Sequence, residues 1–265
     1  TVTGVQTCAL PILIAACGNN SSPETKKDSQ PAAINSAQQT STKEIHPLKI
    51  SFPSADGLAL TADSYFNNDT LPWILCCHQA GYSRGEYSET APLLCALGYN
   101  CLAIDQRSGE EVNGVKNETA QRAKDANKPT TYLDAEQDVR AALNYLYENS
   151  KKPVIIIGSS YSCGLTLKVA VGNPLVKAVL VFSPGEYYKG KLNVTETVKM
   201  LDKPTFVTAA KSEIPDAKKI FDAIAFPKKM LFEPTAEGIH GSSALWSSTA
   251  GHEEYWSAVK EFLAG

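Results

Sequence analysis

From about residue 45 onward, short runs of apolar β-formers alternate with longer stretches whose apolar positions recur at helical spacing. Residues 48–52 and 58–65 mix apolar and polar positions, and Asp56-Gly57 lies between them, so the pattern predicts an antiparallel hairpin. Residues 73–77, 154–157 and 178–182 are continuous apolar runs, and 99–104 is apolar but for Asn100, as expected of strands buried on both faces. Residues 205–209, introduced by Lys203-Pro204, and 229–232 complete the strand pattern. Helices are predicted over 88–97, closed by Gly98, and over 132–148, where Leu133, Val139, Leu143 and Leu146 form the apolar stripe. Further helices are predicted over 160–171, 216–224 and 246–263. A hairpin followed by repeated β-α units implies an α/β fold, with a mostly parallel central sheet, an N-terminal antiparallel hairpin and helices on both faces. No insert is long and apolar enough to fold as a separate cap domain. The polar, Lys-containing stretch 109–131 is expected to form a mobile rim. Ligands of such sheets bind outside the carboxyl ends of the strands, so the loops after the strands should hold the chemistry.

The strongest chemical signal is where the run Val154-Ile155-Ile156-Ile157 meets Gly158-Ser159-Ser160-Tyr161-Ser162 and a helix follows. A strand turning sharply into a helix around a Ser, with small residues two before and two after it, has the layout of a nucleophile elbow. Small flanks are needed because the turn is tight and a larger neighbour would strike the facing backbone. Such a turn lifts the Ser160 hydroxyl above the strand ends and aims the Tyr161 N–H at the place where an oxyanion would form. The common pattern ends in Gly, and here Ser162 takes that position. The competing reading is a strand that ends in a Gly-Ser turn capping a helix.

A nucleophilic Ser needs a base, and the base needs an orienting acid. After the third strand comes His78-Gln79-Ala80-Gly81. A backbone N–H of Gln79 or Ala80 could supply a second oxyanion donor, with Gln79 the choice. His78 is a candidate for substrate binding, against the reading that it bonds nearby backbone and shapes the loop. Of the four His, His240 has the best position, in Glu237-Gly238-Ile239-His240-Gly241-Ser242-Ser243 between the last strand and the last helix. His46 precedes the first strand and His252 falls within the predicted final helix. Glu213, where the chain leaves strand 205–209, is the preferred acid. Asp216, next to Pro215 and suited to a helix N-cap, and Glu186, in Ser183-Pro184-Gly185-Glu186, are the alternatives. Arg107, after the fourth strand, could clamp a substrate carboxylate or pair with a neighbouring acid to hold its loop. Cys163 would point into the first helical turn and reads as packing.

Elbow, His-x-x-Gly loop, acid and His follow one another at the ends of successive strands. This resembles the α/β-hydrolase superfamily over about residue 48 to the C-terminus. The segment His78-Gln79-Ala80-Gly81-Tyr82-Ser83-Arg84-Gly85-Glu86-Tyr87, with Ala103-Ile104-Asp105-Gln106-Arg107-Ser108-Gly109, resembles small bacterial dienelactone-hydrolase-like proteins. That branch typically carries a Cys nucleophile, whereas this elbow carries Ser160. The resemblance implies a serine hydrolase of the carboxylesterase type, with Ser160, His240 and Glu213 as the triad and no metal or organic cofactor. Two other readings stay open: a silent fold that binds a ligand without turnover, and a thiol-dependent hydrolase using Cys163.

The first forty-odd residues are a different material. Ile12-Leu13-Ile14-Ala15-Ala16-Cys17-Gly18 resembles the end of a bacterial lipoprotein signal, with Cys17 as the lipidated residue. Residues 1–17 are expected to combine a sequencing read-through with a truncated lipoprotein signal, because no Met and no basic n-region precede the apolar run. Residues 18–44, polar and poor in apolar side chains, are expected to be a disordered tether, and 45–265 the hydrolase domain. The expected location is the bacterial cell envelope, lipid-anchored to the membrane. The chain of 265 residues carries a net charge of −3, with no basic stripe, which argues against nucleic acid as a partner. The expected partner is a small-molecule ester, met by a monomer. Of seven Cys, Cys76, Cys77, Cys95, Cys101 and Cys163 fall in the folded part, and none has zinc-ligand spacing with His.

Overall fold

A computed structural model describes residues 45–265. The expectations for residues 1–44, including lipidation at Cys17 and the tether, lie outside the described residues. Strands β1 (Leu48–Pro53) and β2 (Ala59–Tyr65) form the hairpin, turning at Gly57 with φ +79°. The chain then builds β3 (Trp73–Cys77), helix α1 (Thr90–Ala96) and β4 (Asn100–Ile104). A two-stranded ribbon, β5 (Glu111–Val112) and β6 (Val115–Lys116), precedes α2 (Glu118–Asp125) and α3 (Glu136–Ser150). The second half runs β7 (Val154–Ser159), α4 (Tyr161–Ala170), β8 (Val176–Phe182), α5 (Val194–Thr197), β9 (Thr205–Thr208), α6 (Ile214–Ala223), β10 (Lys229–Phe232) and α7 (His252–Ala264).

Eight strands make one sheet in the order β1-β2-β4-β3-β7-β8-β9-β10. The β1–β2 and β2–β4 pairs are antiparallel and the others parallel, as the pattern predicts. The apolar runs are continuous because each central strand feeds two cores. Along β7, Val154 and Ile156 face one core, which α3, α4 and α6 cover. Ile155 and Ile157 face the other, covered by α1 and α7. All four side chains are buried. Burying such a Val or Ile contributes about 1.5–3 kcal/mol, so this strand is a strong anchor for whatever its carboxyl end carries.

Two sequence expectations need correction. Residues 109–131 are not a loose rim. Asn117 caps α2 by accepting the Ala120 N–H (2.8 Å), Ala120 and Ala123 are buried, and the Thr119 hydroxyl accepts the Thr61 N–H of β2 (2.8 Å). Its inward face is Thr and Ala, too small to show as an apolar stripe. The final helix begins at His252 rather than at 246, since Gly241–Leu245 forms a 3-10 turn before it.

Arg107 belongs to this framework. It is fully buried, directing Nη2 to Asp138 (2.7 Å) and Nη1 to Asp56 (2.9 Å). Asp138 on α3 also accepts the Arg107 N–H (2.8 Å) and the Ser54 hydroxyl (3.0 Å). The candidate role of Arg107 in clamping a substrate is therefore corrected: its guanidinium fixes the β4 exit loop between α3 and the β1–β2 turn. Replacing Arg107 by Ala would leave the fully buried Asp138 without its counter-charge. Arg107→Ala is expected to lose about 3–5 kcal/mol of stability, read as a lowered urea midpoint; a loss under about 1 kcal/mol would show that the pair is not structural.

Candidate active site

The first requirement is the turn itself. Ser160 sits between β7 and α4 with φ +55° and ψ −122°, a region that a residue with a Cβ rarely adopts. The turn is held on both sides: the Ser160 N–H donates to the Phe182 carbonyl of β8 (2.9 Å), and the Ser160 carbonyl accepts the Cys163 N–H (2.9 Å). A Cβ at Gly158 would stand 2.6 Å from Thr166 Oγ1 and 2.9 Å from Cys163 Cα, which explains the Gly two before the nucleophile position. Two positions after it, Ser162 replaces the usual Gly without crowding. Its hydroxyl donates to the His78 carbonyl (2.5 Å) and accepts from Gln106 Nε2 (2.8 Å). The departure from the common pattern thus ties the elbow to two neighbouring loops.

At this turn three distant segments meet. His240 Nε2 lies 2.7 Å from Ser160 Oγ, and His240 Nδ1 lies 2.6 Å from Glu213 Oε1. With Nδ1 carrying the proton toward the carboxylate, Nε2 is left to accept from the hydroxyl. Glu213 Oε2 accepts the Ser183 hydroxyl (2.6 Å), and Ser183 Oγ accepts the Gly241 N–H (2.9 Å). Ser183 thereby joins the acid to the residue after His240. Sequence reading missed it, although it stands at the carboxyl end of β8, where site residues collect.

The charges follow from these contacts. The bond to Glu213 raises the His240 pKa above the usual imidazole value, against an opposing effect of burial. Burial pushes Glu213 up, but the bonds from His240 and Ser183 outweigh it, and its carboxyl stays below the usual range.

Close to Ser160, His240 and Glu213 lies a second carboxylate, Glu86, fully buried. Its Oε2 accepts the Gln79 N–H (2.7 Å), and its Oε1 accepts the hydroxyls of Ser159 (2.7 Å) and Ser242 (2.7 Å). The Ser242 N–H donates in turn to Ser159 Oγ (2.8 Å). One side chain thus fastens the β3 exit loop, the elbow strand and the His240 loop together. Burial raises its pKa, and the three bonds oppose that rise. Glu86 lay within the segment that carried the family resemblance, but nothing in its spacing distinguished it from a surface carboxylate.

The remaining sequence candidates divide clearly. Tyr161 opens α4, where a first-turn N–H has no partner within the helix. Gln79 departs from expectation: its N–H is taken by Glu86 and is not available to an oxyanion, which leaves the half-buried Ala80 as the donor candidate of that loop. His78 is fully buried. Its Nδ1–H donates to the Gln79 carbonyl (2.8 Å), and its Nε2 accepts the Gln106 N–H (3.1 Å). Burial lowers its pKa to about 4, so it is a neutral loop-shaping group rather than a substrate ligand. Asp216 is exposed and pairs with Lys219 (2.7 Å). Glu186 caps α5 through the Val194 and Thr195 N–H groups (2.8 Å each). Neither alternative acid reaches His240. Cys163 is buried, its Sγ set against the Gly158 and Phe182 carbonyls (3.2 Å each), and burial pushes its thiol well up. All five described Cys are free thiols. Among the described residues no group of three or more His, Cys, Asp or Glu stands where it could hold a metal ion.

No family model matches the sequence, and no curated protein matches it. Solved structures do. An esterase from Pyrococcus furiosus superposes with a TM-score of 0.67 at 17% identity, covering 83% of this chain and 92% of its own. Dienelactone hydrolase from Anabaena variabilis gives 0.65 at 15% identity, covering 83% and 98%. An acylaminoacyl peptidase from Pyrococcus horikoshii gives 0.62 at 15% identity, covering 84% of this chain and 42% of its own. With the parallel sheet, the β7–α4 elbow and these neighbours, the described chain has the α/β-hydrolase fold.

Proposed function

We propose that the protein is a serine hydrolase that cleaves carboxylic esters through an acyl-enzyme on Ser160. The observation that carries this reading is the unbroken chain Ser160 Oγ, His240, Glu213, with both imidazole nitrogens engaged at 2.7 and 2.6 Å. In the first half-reaction His240 Nε2 takes the hydroxyl proton as Ser160 Oγ bonds to the substrate carbonyl carbon. The electron pair moves to the carbonyl oxygen, and the Tyr161 and Ala80 N–H groups receive that oxyanion. The tetrahedral species collapses, and His240 returns the proton to the departing alcohol. Water then attacks the acyl-enzyme with the same base, releasing the acid. Glu213 holds the imidazole in the required tautomer and stabilises the imidazolium; Ser183 holds Glu213.

The thiol-dependent alternative is disfavoured by the burial of Cys163 and by the upward shift of its pKa. An ester preference is supported by the kinship in fold to an esterase, although the same fold also serves a peptidase. The lipid anchor at Cys17, and with it a place at the cell envelope, belongs to the same proposal and rests on the pattern of residues 12–18 alone.

Fluorophosphonate labelling together with turnover of 4-nitrophenyl acetate tests the central claim. Ser160→Ala and His240→Ala should each lower turnover by about three orders of magnitude or more, with labelling lost in Ser160→Ala. Full turnover in either variant, or inactivation by iodoacetamide without phosphonate labelling, would overturn it.

The pH profile offers a separate check. His240 must be neutral to act as base, and its pKa is raised by Glu213. Activity should therefore rise with pH along an acid limb centred above the ordinary imidazole value of about 6.5. In Glu213→Gln the carboxylate is gone, so the limb should move to lower pH, and kcat should fall by about two to four orders of magnitude. A limb that stays in place in the variant would separate Glu213 from the imidazole.

A further inference from the structure

We infer that the cleft beside Ser160 receives a carboxylated aromatic arm of the substrate. This inference rests on the serine-hydrolase reading and extends it to a substrate class. A cavity of about 470 Å³ is lined by Tyr132, Leu133, Tyr187, Tyr188, Lys189 and Lys191 among others. Its size is that of a site for a small organic ligand. Two of its lining rings reach the residues of the site. The Tyr132 ring stacks on Tyr161, the residue after Ser160, at 4.4 Å and 19°. The Tyr187 ring stands edge-on to His240 at 6.4 Å and 85°. Two aromatic side chains on the walls suit a planar ring, which gains both apolar burial and ring-to-ring contact.

The outer end is cationic. Lys189 and Lys191 come from one tight turn, closed by the Lys191 N–H donating to the Tyr188 carbonyl (3.0 Å), with Lys189 and Gly190 at φ +49° and +79°. The turn is anchored at the site, because the Tyr188 hydroxyl donates to the Tyr161 carbonyl and the Tyr187 hydroxyl to the Ser183 carbonyl (3.0 Å). Neither Lys forms an ion pair among the described residues, and no Asp or Glu lines this cavity. The contrast with the adjoining cleft is sharp. That cleft, of about 380 Å³, shares Tyr187 with the first, is lined by Glu186, Asp216 and the His240 partner Glu213 with a single Lys219, and would repel an anion. In a chain of net charge −3, two unpaired ammonium groups over an aromatic-walled cavity mark where a negative charge is favoured.

Two matched substrate pairs test this. The first is the 4-nitrophenyl esters of 4-carboxyphenylacetic acid (ester at the acetyl carboxyl) and of its 4-carbamoyl isostere, which place the charge on the acyl arm. The second is the acetate esters of 4-hydroxy-3-nitrobenzoate and its carboxamide, which place it on the leaving arm. The readout is the kcat/KM ratio of anion to amide in the wild type, divided by the same ratio in Lys189→Gln/Lys191→Gln, so that intrinsic ester reactivity cancels. For at least one pair this quotient should be about tenfold and should shrink in high salt. Tyr132→Ala should lower kcat/KM for both members of that pair relative to 4-nitrophenyl acetate. Quotients within twofold of unity for both pairs would overturn the inference. If 4-nitrophenyl acetate is not turned over and no phosphonate labelling occurs, the hydrolase reading has failed on its own account. Calorimetric binding of 4-carboxyphenylacetate then decides the cavity: about tenfold weaker binding in the double variant than in the wild type upholds it, and equal or undetectable binding in both rejects it.

Discussion

The site depends on one strained turn. A Ser at φ +55° between a parallel strand and a helix costs about 1–3 kcal/mol in backbone conformation and persists only where its surroundings leave it no alternative. Here β7 is paired on both sides by β3 and β8, its side chains are locked into two cores, and α4 starts at the next residue. The strand cannot slip and the helix cannot unwind without exposing buried apolar surface. The stiffness of the sheet thus holds a hydroxyl above the strand ends, where an imidazole can reach it.

Holding the hydroxyl is only half of the problem, since His240 and Glu213 arrive on loops. Their positions are fixed by buried polar groups beneath them. Glu86 gathers the Gln79 N–H and the hydroxyls of Ser159 and Ser242, so that the β3 exit loop, the elbow and the His240 loop share one anchor. Ser183 does the same between Glu213 and Gly241. A buried carboxylate is costly unless its lone pairs are satisfied, and three donors at 2.7 Å satisfy this one. Arg107 with Asp138 and Asp56, and Arg84 with Asp105, bring the β4 exit loop under similar control. These groups give the loops of the site the rigidity that the strands already have.

Ser162 illustrates how a departure from a motif can be read. By pattern alone it weakens the elbow, since Gly is the common residue there. In three dimensions its hydroxyl bridges Gln106 and the His78 carbonyl, so the extra atoms are accommodated as hydrogen bonds rather than as a clash. The same loops show why His78 and Arg107 misled. Both are polar residues at strand ends, the place where site residues are sought, yet both are fully buried and bonded to their neighbours.

By itself the sequence determined the fold class, the succession of the eight sheet strands and of helices α1, α3, α4, α6 and α7, and the elbow at Ser160. These are written in local patterns: apolar runs for two-sided strands, helical spacing for the covering helices, and small residues around a Ser at a strand end. It also ordered the partners, with His240 and Glu213 following at the ends of later strands, because chain order in a parallel sheet translates into position along one edge. Tertiary structure alone decided which of three carboxylates meets the imidazole, that the Gln79 N–H is already taken, and that residues 117–125 pack as a helix. The physical reason is that each of these turns on a contact between segments tens of residues apart. A carboxylate, an amide or a small-residue face carries no local mark of the partner that folding brings to it.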